Sequence, residues 1–226
     1  MTVIFAATFS DCVAIGADTL RHNAVDLQPA GHERKIRRIN SRVLAAKAGL
    51  GPLADGIWDA LTTHLGDDLE RAGPSKVAAA LRFLGTTYFD LGRQQAKALG
   101  IGNPGLFLLV SGWETGDTPA LHWLNFDLEN FESVTGPGLC MAFGPDVATY
   151  AEARELLIRR STVENGHVAA QLDLWAVDVV SRCQRVARHA VSFPADLELI
   201  DDQQQHITTR LDLGAPPDHR FYRRIS

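Results

Sequence analysis

The sequence predicts an α+β protein in which two mainly antiparallel sheets stack face to face and a pair of helices covers each outer side, a four-layer αββα sandwich. Three observations carry this expectation. Four apolar, strand-length runs precede any helical pattern. At Gly49-Leu50-Gly51-Pro52 the spacing of apolar residues changes from about two to about 3.6. Beyond that point helices and strands come in blocks rather than in strict alternation, so the strands need no helical crossovers and the helix pairs need sheet faces to cover their apolar stripes.

The elements follow in order. Thr2 to Phe9 and Cys12 to Ala17 are apolar and β-branched runs parted by Ser10-Asp11, which suits a tight hairpin. A loop containing Pro29-Ala30-Gly31 leads to a second strand pair, Lys35 to Ile39 and Arg42 to Ala48, joined by Asn40-Ser41. Leu53, Ile57, Trp58, Leu61 and Leu65 then recur at helical spacing, with Pro52 placed for a first helical turn. Past Gly73-Pro74-Ser75 a second helix shows Leu81, Leu84, Tyr88 and Leu91, and it fades by Gly100. Strand-like runs return at Leu106 to Val110, Leu121 to Phe126 and Leu139 to Phe143. Two more helices are marked by Val147, Ala151 and Leu156, and by Val168, Leu172, Trp175, Val179, Cys183 and Val186. Leu197 to Ile200 and Ile207 to Leu211 close the pattern as strands. No linker divides it, so residues 1–226 read as one domain, with 212–226 an exposed or partner-ordered tail.

Composition narrows the function classes. At 46% hydrophobic and 22% charged the chain has the balance of a soluble globular protein, and no run approaches the roughly 18 apolar residues of a membrane span. The first twenty residues lack a basic n-region and a small-residue cleavage site, so the expected location is the cytoplasm. Cys12, Cys140 and Cys183 are widely spaced and form no C-x-x-C pair, which reads as reduced thiols and no metal site, and Cys12 and Cys183 fall in apolar patterns that suggest packing. A net charge of -5 argues against nucleic acid, although H-E-R-K-I-R-R at 32–38 and H-R-F-Y-R-R at 219–224 are locally basic.

The second residue raises the chemical question. If Met1 is removed, Thr2 carries a hydroxyl and a free α-amine on one residue, and an amine with a reference pKa of about 7.7 to 8.0 can take the hydroxyl proton directly or through water. Threonine is equally a good strand residue, and that reading of an M-T start stands beside the catalytic one. Three further stretches bear on the choice: I-G-A-D18-T, R-K35-I-R-R-I and A-A-K-A48-G49-L-G.

With the strand order, these stretches resemble the proteasome β-subunit and HslV-like family of N-terminal nucleophile (Ntn) hydrolases, in which an Asp closes the second strand, a Lys opens the next and an Ala-Gly pair follows the fourth. The resemblance covers most of the chain, and its motifs lie in the first fifty residues. It implies a catalytic set of Thr2, Asp18, Lys35 and Gly49. A protonated lysine beside the threonine hydroxyl lowers that hydroxyl's pKa, and a carboxylate holds the lysine in place. A glycine lets the scissile carbonyl approach a backbone N–H, a kind of donor whose loss typically costs about 2.7 to 4 kcal/mol of transition-state stabilisation.

The same resemblance assigns Lys47 and His22 to substrate binding, with Lys47 at the base of the pocket for the side chain preceding the cleaved bond. A cation there would favour acidic substrates. Two departures stand out. Where the family commonly has Gly-Ser-Gly, with a serine that supports the amine, this chain reads A-F-G144-P-D; where it has Arg-Asp followed by Ser, this chain reads R-H189-A-V-S192. His189 and Ser192 are therefore candidate catalytic support. The implied protein needs no cofactor, assembles with itself as a ring or double ring, takes peptide or unfolded-protein substrates and leaves room for an ATP-driven unfoldase. A catalytically silent assembly subunit and a small-molecule amidase are the alternatives.

Overall fold

A computed structural model of the chain describes residues 2–23, 28–102, 105–164 and 167–225. Met1, whose removal the catalytic reading requires, lies outside them, as does Ser226 at the end of the tail. The chain begins with β1 (Ile4–Thr8), β2 (Cys12–Asp18), β3 (Leu20–His22), β4 (Pro29–His32), β5 (Ile36–Arg38) and β6 (Val43–Gly49), then α1 (Gly51–Leu65) and α2 (Pro74–Ala98). It continues with β7 (Leu106–Trp113), β8 (Pro119–Asn125), β9 (Asn130–Thr135), β10 (Cys140–Phe143), α3 (Thr149–Arg159), β11 (Ser161–Glu164), β12 (His167–Gln171) and α4 (Leu172–Val186). The last strands are β13 (Ala195–Asp201), β14 (His206–Leu211) and β15 (Tyr222–Ile225).

Two five-stranded antiparallel sheets, β10-β1-β2-β13-β14 and β5-β6-β7-β8-β9, form the centre. Three apolar clusters define the layers. Ile4, Ala6, Val13 and Ile15 of the first sheet meet Leu44, Ala46, Leu109 and Leu121 of the second. On the outer face of the first sheet, Val3, Phe5, Ala14 and Leu197 meet Ala153 and Leu157 of α3 and Trp175 and Val179 of α4. On the outer face of the second, Val43, Leu108 and Leu124 meet Ile57 and Trp58 of α1 and Leu81 of α2. The expected four-layer order is the observed one.

Sandwiching explains why β1 and β2 read as continuous apolar runs: both of their faces are covered, so no polar alternation is needed. Gly16 on β2 leaves the space that the Phe5 ring fills, since a Cβ there would sit 2.2 Å from Phe5 Cζ. Phe5 in turn meets the edge of Trp175, whose Nε1–H donates to Ala153 O at 2.8 Å. A central strand pair is thereby keyed to both helices above it.

Several expected details differ. On α2, Leu81 and Leu84 are buried as expected, but Tyr88 and Leu91 are exposed, and the buried face continues through Val77, Gly85 and Phe89. Gly85 is pressed against Phe126, so beyond Leu84 a pattern read from large apolar side chains drifts off the true face. On α3 the buried residues are Thr149, Ala153 and Leu157, while Val147 precedes the helix and is fully exposed. Val168 belongs to β12, and α4 starts only at Leu172, because Val168 is held in a ladder with β11 and β15.

The Pro29 loop is strand β4, paired with β3. Strands β3, β4, β9, β11 and β12 escape apolar pattern reading because they are short or polar and are held by ladder hydrogen bonds. The tail is not free either. Its end pairs with β12, and Phe221 is fully buried in the outer cluster. No helix among the described residues is long and apolar enough to cross a membrane.

Candidate active site

Strand pairing brings three distant segments to one end of the sandwich. Thr2 precedes β1, Asp18 ends β2 and Lys35 precedes β5. The Lys35 ammonium donates to Thr2 Oγ1 at 3.0 Å, to Asp18 Oδ1 at 3.0 Å and to Leu20 O at 2.7 Å. All three of its protons are used, so the side chain has one orientation. Asp18 accepts from Val3 N–H at 2.9 Å and from Leu20 N–H at 3.1 Å as well as from Lys35. Gripping the amide of Val3 also locates the residue before it, so the carboxylate positions both the lysine and the threonine backbone.

The three side chains are buried: Asp18 is 0%, Lys35 3% and Thr2 9% exposed. Burial pulls Lys35 below the ordinary lysine value, opposed chiefly by the Asp18 charge. Burial likewise pushes Asp18 above the ordinary carboxylate value, opposed chiefly by Lys35. Each charge is therefore maintained by the other, and a cation with a weakened hold on its protons sits against a hydroxyl.

Gly49 ends β6 with φ +96°, a conformation other residues adopt at a cost, and a Cβ there would lie 2.0 Å from Gly105 O. Close packing of backbone thus demands the glycine that the sequence reading tied to substrate approach, and the residue itself is exposed to solvent. Lys47, two residues earlier, is 5% exposed. Its ammonium lies 2.6 Å from Asp55 Oδ1, 4.0 Å from Glu33 Oε1 and 5.4 Å from the centre of the Trp58 ring. It is a paired cation and not a free one.

His22 reaches the loop after α4, where its Nε2 lies 2.6 Å from His189 O. A carbonyl only accepts, which assigns the ring proton to Nε2. His189 thus meets His22 through its backbone, while its imidazole is exposed. Neither that imidazole nor the Ser192 hydroxyl makes a hydrogen bond among the described residues. Ile4 opposes Phe143, so the start of β1 runs beside the Gly144-Pro145-Asp146 turn. There the Asp146 carboxylate accepts from Ala148 N and Thr149 Oγ1, both at 3.1 Å, and pairs with Arg182 at 2.9 Å. The Arg182 hydrogen bond holds Asp146 below the usual carboxylate range.

Sequence reasoning missed Glu33, Asp55 and Trp58. Glu33 shares the strand alternation of Lys35, and Asp55 lies one turn into a helix that begins just after Lys47. Both signals were present, but Glu33 was absorbed into a basic run. The reach from Lys47 to Asp55 becomes visible only when α1 folds back over β6.

No protein-family model matches the chain, and no curated protein matches it. Among solved structures it is similar to "Anbu (Gly-1) mutant from Hyphomicrobium sp. strain MC1", with 17% identity, a TM-score of 0.64 and coverage of 98% of this chain and 90% of that one. It is also similar to "Anbu (ancestral beta-subunit) from Yersinia bercovieri", with 18% identity, a TM-score of 0.65 and coverage of 95% and 88%. At these identities the likeness establishes the fold, the four-layer αββα sandwich, over nearly the whole length of both chains.

Proposed function

We propose that the chain is a single-domain threonine-type peptidase of the proteasome β-subunit kind, active once Met1 is lost, and that it works in the cytoplasm as a ring or double ring of identical subunits. The observation that carries this reading is the Lys35 ammonium shared between Thr2 Oγ1 and Asp18 at 3.0 Å each. In an ordinary strand start, a buried lysine aimed at the hydroxyl of the second residue has no purpose. The fold likeness to a β-subunit adds support.

In the reaction, Thr2 Oγ1 attacks the amide carbonyl carbon while the α-amine of Thr2 takes the hydroxyl proton. Lys35 stabilises the developing alkoxide, and Asp18 keeps the lysine charged. The Gly49 N–H donates to the oxyanion of the tetrahedral intermediate. Collapse breaks the C–N bond, the amine returns its proton to the departing amine, and an ester on Thr2 remains. Water, deprotonated by the same amine, then hydrolyses that ester and restores the hydroxyl. Lys47 and His22 line the substrate path, and an ATP-driven unfoldase would supply folded substrates.

One observation favours a second reading, a catalytically silent assembly subunit. The turn beside Thr2 reads Gly144-Pro145-Asp146 and offers no serine to the amine. Intact mass separates the readings. After cytosolic expression the active form lacks Met1 and gains one adduct from an epoxyketone directed at N-terminal threonine. Retained Met1 without adduct overturns the peptidase reading. Hydrolysis of small amides by a monomer would indicate the amidase alternative.

A further inference from the structure

Strand β2 pairs with β1 along one edge and with β13 along the other, so Thr2 and the residues of β13 lie on opposite sides of it. On the β13 side opens a cavity of about 330 Å³, room enough for a small ligand. Leu197 and Leu199 belong to the outer apolar cluster, so strand alternation turns Asp196 and Glu198 to the other face, toward this cavity. Arg210 and Thr208 stand opposite them on β14, the last strand of the sheet, and Thr19 and Arg34 close the other side. Every residue in the described lining is polar or charged, so the ligand it suits is polar.

The charges divide into used and unused. Glu198 is 1% exposed and fully engaged: it accepts from Arg34 Nε at 3.0 Å and Nη2 at 2.6 Å, and its other oxygen lies 2.7 Å from His206 Nε2. That pairing makes a fixed wall. Glu33 leans away, 4.0 Å from both Lys47 and Arg21. Asp196 and Arg210 differ. They are direct cross-strand partners, yet neither makes a hydrogen bond or closes an ion pair among the described residues. Burial pushes Asp196 above the ordinary carboxylate value, opposed chiefly by the Arg210 charge. A half-buried carboxylate and a guanidinium thus stand side by side in the cavity, each left to be satisfied by what enters.

We infer that this cavity binds a small zwitterion, a free amino acid or dipeptide, with its ammonium on Asp196 and its carboxylate on Arg210. A lone cation would meet the two arginines and a lone anion would meet Asp196, whereas a zwitterion answers both signs at once. A guanidinium can also grip a carboxylate through two parallel bonds. Binding here does not depend on Thr2 being a nucleophile. Under the proposed function such zwitterions are what hydrolysis releases, and because Ala195 opposes Asp18 the product would sit one strand from the Asp18–Lys35 pair.

Three peptides test the inference by calorimetry on the wild-type chain at millimolar concentrations: glycylglycine, N-acetylglycylglycine without the ammonium, and glycylglycinamide without the carboxylate. Each blocked peptide should bind at least about tenfold more weakly, which corresponds to one charge-assisted contact of about 1.4 kcal/mol. Asp196→Asn should make glycylglycine and its N-acetyl form bind alike, and Arg210→Gln should do the same for glycylglycine and its amide. No binding of glycylglycine, binding that blocking either end leaves unchanged, or a preference that survives both substitutions overturns the inference. Should a variant fail to fold, the three peptides on the wild-type chain still decide. Zwitterion binding by a chain that forms no epoxyketone adduct removes the peptidase reading and leaves the cavity assignment standing.

Discussion

Replacing Lys35 by methionine removes the cation and keeps most of the side-chain volume, so the change isolates charge. Asp18, 0% exposed, would retain its bonds from Val3 N–H and Leu20 N–H but lose its ammonium partner. Removing one member of a buried pair costs about 3–5 kcal/mol. Against a total stability of about 5–15 kcal/mol that is a large fraction. At a urea slope of about 2 kcal/mol per molar, the midpoint falls by about 2 M.

The pH dependence has a definite sign. Lys35 is the largest influence holding Asp18 down against burial, so its loss raises the Asp18 pKa further. A carboxyl whose folded pKa is raised contributes stability that is present below its unfolded value of about 3.9 and is lost as pH rises through the folded value. The deficit of Lys35→Met should therefore shrink as pH falls from 7 toward 4, and the double variant with Asp18→Asn should recover most of it at pH 7. Urea titrations at several pH values measure this. A single-variant deficit below about 1 kcal/mol, or one that is flat with pH, would refute the account of a mutually maintained buried pair.

Three other outcomes follow from the same geometry. Gly49→Ala places a Cβ against Gly105 O at φ +96°, and should cost about 1–3 kcal/mol in thermal or urea unfolding while slowing epoxyketone labelling. Trp175→Ala removes the partner of Phe5 and leaves Ala153 O without its indole donor, for an expected loss of about 3–5 kcal/mol by chemical denaturation. Burial pushes the Cys140 thiol up to about 12 and the Cys183 thiol up to about 11, so at pH 8 neither should be alkylated by iodoacetamide in the folded protein, and both should react in urea, as counted by intact mass.

The sequence by itself determined the order of elements and the chemical types at the site. Apolar runs at Thr2 to Phe9 and Cys12 to Ala17, and the change of period at Pro52, are local features, and local backbone preference together with burial demand is enough to write them. Asp18, Lys35 and Gly49 stood out as a set only through the resemblance to a known family, because taken singly each also reads as a turn residue, one charge in a basic run or a strand-to-helix break. Polar strands such as β9 and β11 and the C-terminal β15 were not, since their stability comes from a neighbour's ladder rather than from their own pattern.

Only the tertiary structure decided what the charges do. Lys47 and Glu33 were read as a pocket cation and as part of a basic run. Folding α1 back over β6 delivers Asp55 to Lys47, and pairing β5 with β6 turns Glu33 toward the same corner. A charge's effect depends on which partners lie within a few ångströms and how much water is left between them. That distance is a property of the packed chain, and it converts an apparently free cation at Lys47 into a paired one.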